Sequence, residues 1–327
     1  MNPRITTVTE TGEVMPTVLP KQGFVGSSVK KKKIKKEAVI GLIFILIPLV
    51  GYVIFSGFPL LFSFMAQFCD MKGYDISSLQ WNNFANFRTI FTDQRFYKSI
   101  GITVWIYTAQ LISLSIALVI AALLAQNVRG SRVLEVIFFI PYICSSVAVV
   151  SMWMWVFDAR NGILNAILGT QIDWLANLDK PSTITWAIIV ATVWASPAYG
   201  IIMYKAAFKG INPAYYEAAS IDGANGFKKF LHITVPSLAP TTLFLLVQGV
   251  IAGFLSFTYP MLMWPDSWMQ TAGIDDMALT MMYYVHILGN GRKQMNLASI
   301  VSWMLFVIMG IIIFVLFKLQ KRSEGNV

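Results

Sequence analysis

Long apolar runs separated by short polar stretches organise this chain. Six of them exceed twenty residues: Ala38–Phe58, Ile100–Leu124, Val133–Phe157, Thr183–Tyr204, Leu238–Tyr259 and Leu297–Phe317. At about 1.5 Å per residue, each is long enough to cross a hydrocarbon core about 30 Å thick. In such a core every backbone N–H and C=O needs a partner within its own segment, so each run predicts a transmembrane helix. The first can run on past Pro59 to Met65. Pro48, Pro141 and Pro197 fall inside spans and predict kinks. The pattern describes an all-α polytopic membrane protein with six spans.

Composition agrees. Of the 327 residues, 56% are hydrophobic and 13% charged, where a soluble domain carries roughly a quarter charged residues. A soluble two-domain enzyme is excluded. The net charge of +9 is concentrated in Lys30–Lys33, Lys35 and Lys36, immediately before the first span. A juxtamembrane run of this kind reads as an inside anchor and an anionic-lipid contact, not as a nucleic-acid surface. With the N-terminus inside, 17 Lys/Arg fall on the inner side and 8 on the outer, so both termini are expected to be cytoplasmic. Residues 1–37 then form an N-terminal tail, 38–317 the membrane domain and 318–327 a C-terminal tail. The first span is expected to stay uncleaved, since no small-residue cleavage site follows it. Trp155, Trp174, Trp264 and Trp268 sit near the expected outer boundaries as an aromatic belt.

The spans hold almost no charge. Glu135 lies in the first turn of the third and Lys205 just beyond the fourth; the polar, uncharged candidates are Gln110, Ser196, Gln248 and Ser256. An ion-coupled carrier usually buries a carboxylate near mid-membrane, and none occurs here, so the driving energy is expected from elsewhere. Cys69 and Cys144 are far apart and read as small apolar fillers, and His232 and His286 fall on opposite sides of the membrane. Neither pair builds a metal or catalytic site. Asp275-Asp276 reads as a solvated acidic turn. No Gly-x-x-x-x-Gly-Lys-Ser/Thr occurs, so the chain has no P-loop for ATP phosphates.

The longest inner loop, 205–236, has structure of its own. Asn212 can cap a helix that begins at Pro213, the favoured order at a helix start. That helix covers Ala214–Ile221 and places Glu217 beside the small Ala218 and Ala219. Gly223 can end it with positive φ, and a second helix is expected over Phe227–Ile233. Two readings of this helix–turn–helix stay open on spacing alone: docking of another protein, or a surface-lying amphipathic helix. Asn212-Pro213-Ala214 matches the aquaporin tripeptide, but that fold needs two copies and one is present.

Glu217-Ala218-Ala219, then Gly223 after three residues, Ile233 after nine more, and Val235-Pro236 resemble the signature of binding-protein-dependent ABC importer permeases. Val235 stands where that pattern has Leu. Trp81-Asn82-Asn83-Phe84, Asn86-Phe87, Phe138-Phe139-Ile140-Pro141 and Gly162-Ile163-Leu164-Asn165 resemble its carbohydrate-uptake branch, of the maltose and multiple-sugar type. Where family members often carry Gly-Gly-Pro after span five, Trp264-Pro265-Asp266 stands here.

The resemblance implies a type I importer membrane domain in a bacterial inner membrane. It implies no enzyme and no cofactor in this chain, with ATP and magnesium used by two copies of a separate ATPase. The expected partners are that ATPase, a second permease and an extracytoplasmic solute-binding protein that delivers a sugar. Glu217, Ala218, Ala219, Asp222, Gly223, Ile233 and Pro236 are the implied ATPase-coupling residues. Tyr199, Gly253, Phe254 and Ser256 are the implied substrate-pathway residues. A non-sugar cargo for the same machine, or a self-sufficient carrier, are the alternatives.

Overall fold

The computed structural model describes residues 31–125, 130–264 and 271–324. The tail through Lys30, Arg129, residues 265–270 with Pro265, Asp266 and Trp268, and residues 325–327 lie outside the described residues.

Close contacts divide the chain after Pro59. The first unit holds helix α1, Lys31–Tyr52, and a widened π turn at Val53–Gly57. The widening falls where Pro59 lacks the N–H that would bond to the carbonyl of Phe55. Helix α2, Phe58–Ala66, continues the apolar stretch, so the first span runs Val39–Ala66, longer than the apolar run alone.

In the second unit, which starts at Leu60 within α2, a hairpin follows of β1, Cys69–Lys72, and β2, Asp75–Trp81, paired Cys69 to Trp81 and Asp70 to Gln80. This hairpin is an addition to the all-α expectation. Gly73 takes φ +61° in its turn, a conformation only glycine adopts without strain. Helices α3, Ala85–Thr92, and α4, Gln94–Ala125, follow. Next come α5, Ser131–Ile143, and α6, Ser146–Val156. The expected third span is therefore two helices, bent by 102° to each other. The break comes at Cys144–Ser145 and not at Pro141, because the Cys144 N–H still reaches the Ile140 carbonyl and closes the last turn of α5. Cys144 and Ser145 then adopt extended ψ of 148° and 138°.

Beyond the short α7, Ile163–Leu168, the fourth span is α8, Thr183–Ala195, joined at Ser196 to α9, Pro197–Phe208. The loop holds α10, Pro213–Ile221, α11, Gly226–Lys229, a π turn at Phe230–Thr234 and α12, Val235–Ser237. Its second helix thus runs longer than the expected Phe227–Ile233. The fifth span is α13, Ala239–Phe254, with α14, Thr258–Met263; α15 is Met281–His286 and the last span is α16, Met295–Glu324. Among the described residues, five helical stretches are long and apolar enough to cross a membrane, and six if the bent pair counts as one span.

Helix α4 is the centre of this unit and packs on α8, α9, α13 and α15. At the hairpin end, Phe96, Ile106, Ile188, Phe254, Tyr284 and Ile300 belong to one buried core. At the end that carries the loop, Ala117, Ala121, Leu124, Ile201, Tyr204 and Leu245 form another. Small residues set the helix spacing there: a Cβ on Gly200 would stand 2.8 Å from the Cβ of Ala117. Without a hydrophobic drive between helices in lipid, such close approach gains dispersion energy instead. The Tyr204 hydroxyl adds a bond to Thr242 Oγ1 at 3.1 Å.

Candidate functional site: a polar cavity and the 205–236 loop

Two of the helix breaks meet at one cavity of about 470 Å³, within the range of small-ligand sites. The α5–α6 break supplies Tyr142, Cys144 and Ser146, and the α8–α9 break supplies Ser196, Pro197 and Tyr199. Helix α4 contributes Gln110 and Ser113, α13 contributes Gln248, and α14 contributes Tyr259. No Asp, Glu, Lys, Arg or His lines it among the described residues. Broken helices leave backbone N–H and C=O groups without intrahelical partners, and at membrane depth such backbone is tolerated where it faces a cavity. Ser113 is 1% exposed, and its hydroxyl has no hydrogen bond among the described residues. Phenol rings, hydroxyls and amides form a neutral lining with both donors and acceptors.

Of the four pathway residues implied by resemblance, Tyr199 lies in this lining. Gly253 does not: a Cβ there would stand 2.9 Å from Tyr107 Cδ2, so it is a helix-packing position. Phe254 is 1% exposed and packs on Tyr107, with ring centroids 5.6 Å apart. The Ser256 carbonyl accepts the Thr280 hydroxyl at 3.0 Å, outside the lining. Gln110, Ser196 and Gln248, polar residues in otherwise apolar spans, are the sequence signal that leads to the cavity.

The loop forms a compact unit. Asn212 Oδ1 accepts the Ala214 N–H at 3.0 Å and caps α10, while Gly223 turns the chain with φ +73°. Asn225 caps α11 in the same way, its Oδ1 2.9 Å from the Lys228 N–H. Two contacts clamp the helices together: Tyr216 Oη to Thr234 Oγ1 at 2.8 Å, and Lys229 Nζ to Ser220 Oγ at 2.6 Å. Glu217 and Ala218 are exposed and Ala219 half-buried on α10, with Asp222 and Gly223 exposed at its end. Ile233 is half-buried and Pro236 exposed on the returning helix. The Glu217 carboxylate has no partner among the described residues, while Ile221 and Phe227 nearby are 88% and 70% exposed. An acid flanked by small side chains and ringed by open apolar groups suits a protein partner.

The two charges nearest the spans neutralise each other: Glu135 on α5 pairs with Lys205 on α9. At the hairpin end, Asp276 forms a bidentate ion pair with Arg95, at 2.7 and 2.9 Å. This corrects the expectation of a solvated Asp275-Asp276 turn: Asp275 is exposed, but the Asp276 side chain is only 14% so. Arg95 also lies over the Tyr284 ring, whose hydroxyl donates to Asp93 Oδ2 at 2.5 Å. Burial, with that bond second, pushes the Tyr284 phenol well above its ordinary range.

Residues 113–326 match the model of the "binding-protein-dependent transport system inner membrane component" family. The chain belongs to that family. This permease is 31% identical over 300 residues to the "Probable ABC transporter permease protein YesP" of Bacillus subtilis, covering 88% of this chain and 93% of that one. It is 24% identical over 319 residues to the diacetylchitobiose uptake permease NgcF of Streptomyces coelicolor, covering 92% and 89%. It is also 29% identical over 253 residues to the sn-glycerol-3-phosphate permease UgpA of Escherichia coli O6:K15:H31, covering 76% and 82%. Among solved structures, a chain of a bacterial alginate ABC transporter, crystallised with an alginate-bound periplasmic protein, shares the fold. Its TM-score is 0.75 at 21% identity, over 89% of this permease and 97% of that chain.

Proposed function

We propose that this permease is one of two membrane subunits of an ATP-driven importer for a sugar or oligosaccharide, handed over by an extracytoplasmic binding protein. Two copies of a separate ATPase supply the energy, one of them seated on the 205–236 loop. Both termini face the cytoplasm, and the hairpin end receives the binding protein. The observation that carries the reading is the exposed Glu217 on a rigidly clamped helix pair, in a chain with no P-loop of its own. Closure of the ATPase dimer on ATP draws the two coupling loops together, and the clamp passes that motion to α9 and α13.

For the cargo, the support is the neutral, donor-and-acceptor lining with Tyr199 and Tyr259. Aromatic faces and small polar groups suit a hydroxyl-rich solute, and NgcF carries a sugar name. Glu217, Ala218, Ala219, Asp222, Gly223, Ile233 and Pro236 belong to the docking surface. Tyr199 contacts the solute; Gly253, Phe254 and Ser256 shape the helices behind it.

The test is Glu217→Ala in the assembled transporter. Losing one member of an interface charge pair costs about 2–5 kcal/mol. The variant is expected to reach the membrane at normal level, while uptake of labelled sugar falls more than tenfold and hydrolysis no longer responds to the loaded binding protein. Wild-type uptake by this variant would overturn the role of Glu217. Uptake of a non-sugar solute by the wild type would keep the machine and change the cargo.

A further inference from the structure

A second cleft, of about 640 Å³, lies between the loop-side ends of α4 and α9 and the base of α10–α12. Lys205, Lys209 and Lys229 line it together with apolar groups such as Leu124, Phe208 and Phe230, and no acidic residue is in the lining among the described residues. The charges are incompletely balanced. Lys205 has Glu135, Lys229 donates to the Ser220 hydroxyl, and Lys209 has no partner among the described residues. A hydroxyl is a weak substitute for a counter-ion, so the cleft carries surplus positive charge over an apolar wall.

We infer that this cleft binds an anionic phospholipid, its phosphate between Lys209 and Lys229 and its acyl chain along Leu124, Phe208 and Phe230. Position selects a lipid from among phosphate-bearing ligands: one wall of the cleft, with Leu124, Lys205 and Phe208, is the last turns of two apolar helices long enough to cross a membrane, and the loop with Lys229 and Phe230 forms the other. At that level a bilayer presents headgroups, and basic pockets between helix ends match anionic ones. Ammonium groups bind phosphate oxygens by charge-assisted hydrogen bonds. The lipid would brace the base of the loop, since Lys229 lies on the helix that is tied to α10 through Ser220. Placing the lipid in the cytoplasmic leaflet rests on the orientation proposed above; the binding itself does not.

The test is native mass spectrometry of the purified full chain, titrated with dioleoyl-phosphatidylglycerol or dioleoyl-phosphatidylcholine. The first phosphatidylglycerol is expected to bind roughly tenfold tighter or better. Lys209→Gln with Lys229→Gln is expected to abolish that preference, and the paired Arg substitutions to keep it. Gln at Lys30–Lys33, Lys35 and Lys36 is expected to leave the tight site in place, which separates it from the N-terminal run. Equal affinity for the two lipids, or a preference that survives the double Gln variant, overturns the proposal. Displacement by millimolar inorganic phosphate also overturns it, in favour of a soluble-phosphate site. Should the double variant misfold, a photoactivatable phosphatidylglycerol on the wild type decides: crosslinks within 122–125, 205–216 and 226–234 support the site, and crosslinks elsewhere overturn it. None of these readouts needs the ATPase or a sugar, so they stand or fall apart from Glu217.

Discussion

Asp276 has its carboxylate engaged on two sides, by the Arg95 guanidinium and by the Ala272 N–H at 2.9 Å. It adopts φ +54°, which a non-glycine residue rarely takes, and the ion pair offsets that strain. With the two side chains 19% and 14% exposed, removing one partner leaves the other charged and largely out of water. Arg95→Ala is therefore expected to cost on the order of 3 kcal/mol, read as a lower unfolding midpoint in detergent. The Arg95→Ala/Asp276→Ala double variant should lose less than the sum of the singles; strict additivity would mean the pair is not coupled. The sequence shows two adjacent acids in a polar loop and gives no sign that only one finds a partner 181 positions away. Polar residues inside apolar runs are more legible, because a span tolerates them only where something polar meets them. Gln110, Ser196 and Gln248 point to the cavity for that reason. Asn165 lies between two runs and is buried by its own bonds: 4% exposed, it donates to the Ile172 carbonyl at 2.8 Å and accepts Trp174 Nε1–H at 2.9 Å. Within the Gly-Ile-Leu-Asn motif, a Cβ on Gly162 would meet the Asp158 carbonyl oxygen at 2.3 Å. That motif is a turn held by its own hydrogen bonds.

The helices cover the apolar runs but overrun several of them, α4 starting at Gln94 and α16 ending at Glu324, and the runs mark the breaks poorly. Hydropathy measures length and counts Pro141 and Ser145 alike as interior positions, so it cannot separate a kink from a 102° bend. The hairpin at Cys69–Trp81 escapes for a different reason: its strands are short and mostly polar, and tertiary bonds hold it. Asn86 joins it to the helices, donating to the Cys69 carbonyl at 2.9 Å and accepting from Asn296 Nδ2 at 3.1 Å. The glycines of the spans carry a prediction of their own. At Gly200 the obstacle is the Cβ of Ala117, which cannot move without its helix; at Gly249 it is Gln110 Cγ at 2.9 Å, part of a flexible side chain. Gly200→Ala is expected to cost about 1–3 kcal/mol by overpacking, and Gly249→Ala clearly less. Thermal unfolding in detergent measures both, and the reverse order would show that α9 can shift on α4 more easily than Gln110 can turn.

As a whole molecule, one loop of the Glu-Ala-Ala type and one membrane unit are what the proposed importer pairs with a second permease. The signature in the loop is legible because its residues stand at fixed spacing along one stretch; the cavity is less so, because four separate stretches assemble it. Cys144 gives a way to test that assembly. It is exposed, it lines the cavity at the α5–α6 break, and Cys69 is the chain's other cysteine. A charged methanethiosulfonate reacts with a cysteine sulfur as the thiolate, so it reports whether water and reagent reach the sulfur. In the Cys69→Ser transporter, Cys144 is expected to label within minutes when no sugar is present. Saturating sugar with its binding protein, under turnover, should slow that labelling several-fold. Gln110→Leu together with Gln248→Leu removes two amides from the lining; at about 1 kcal/mol for each hydrogen bond, the half-protecting sugar concentration should rise about tenfold or more. Labelling without sugar should persist in that variant, because the helix break does not depend on either amide. If Cys144 labels at one rate with and without sugar while uptake proceeds, the solute passes elsewhere, and the cavity between these breaks is a packing defect beside the true path.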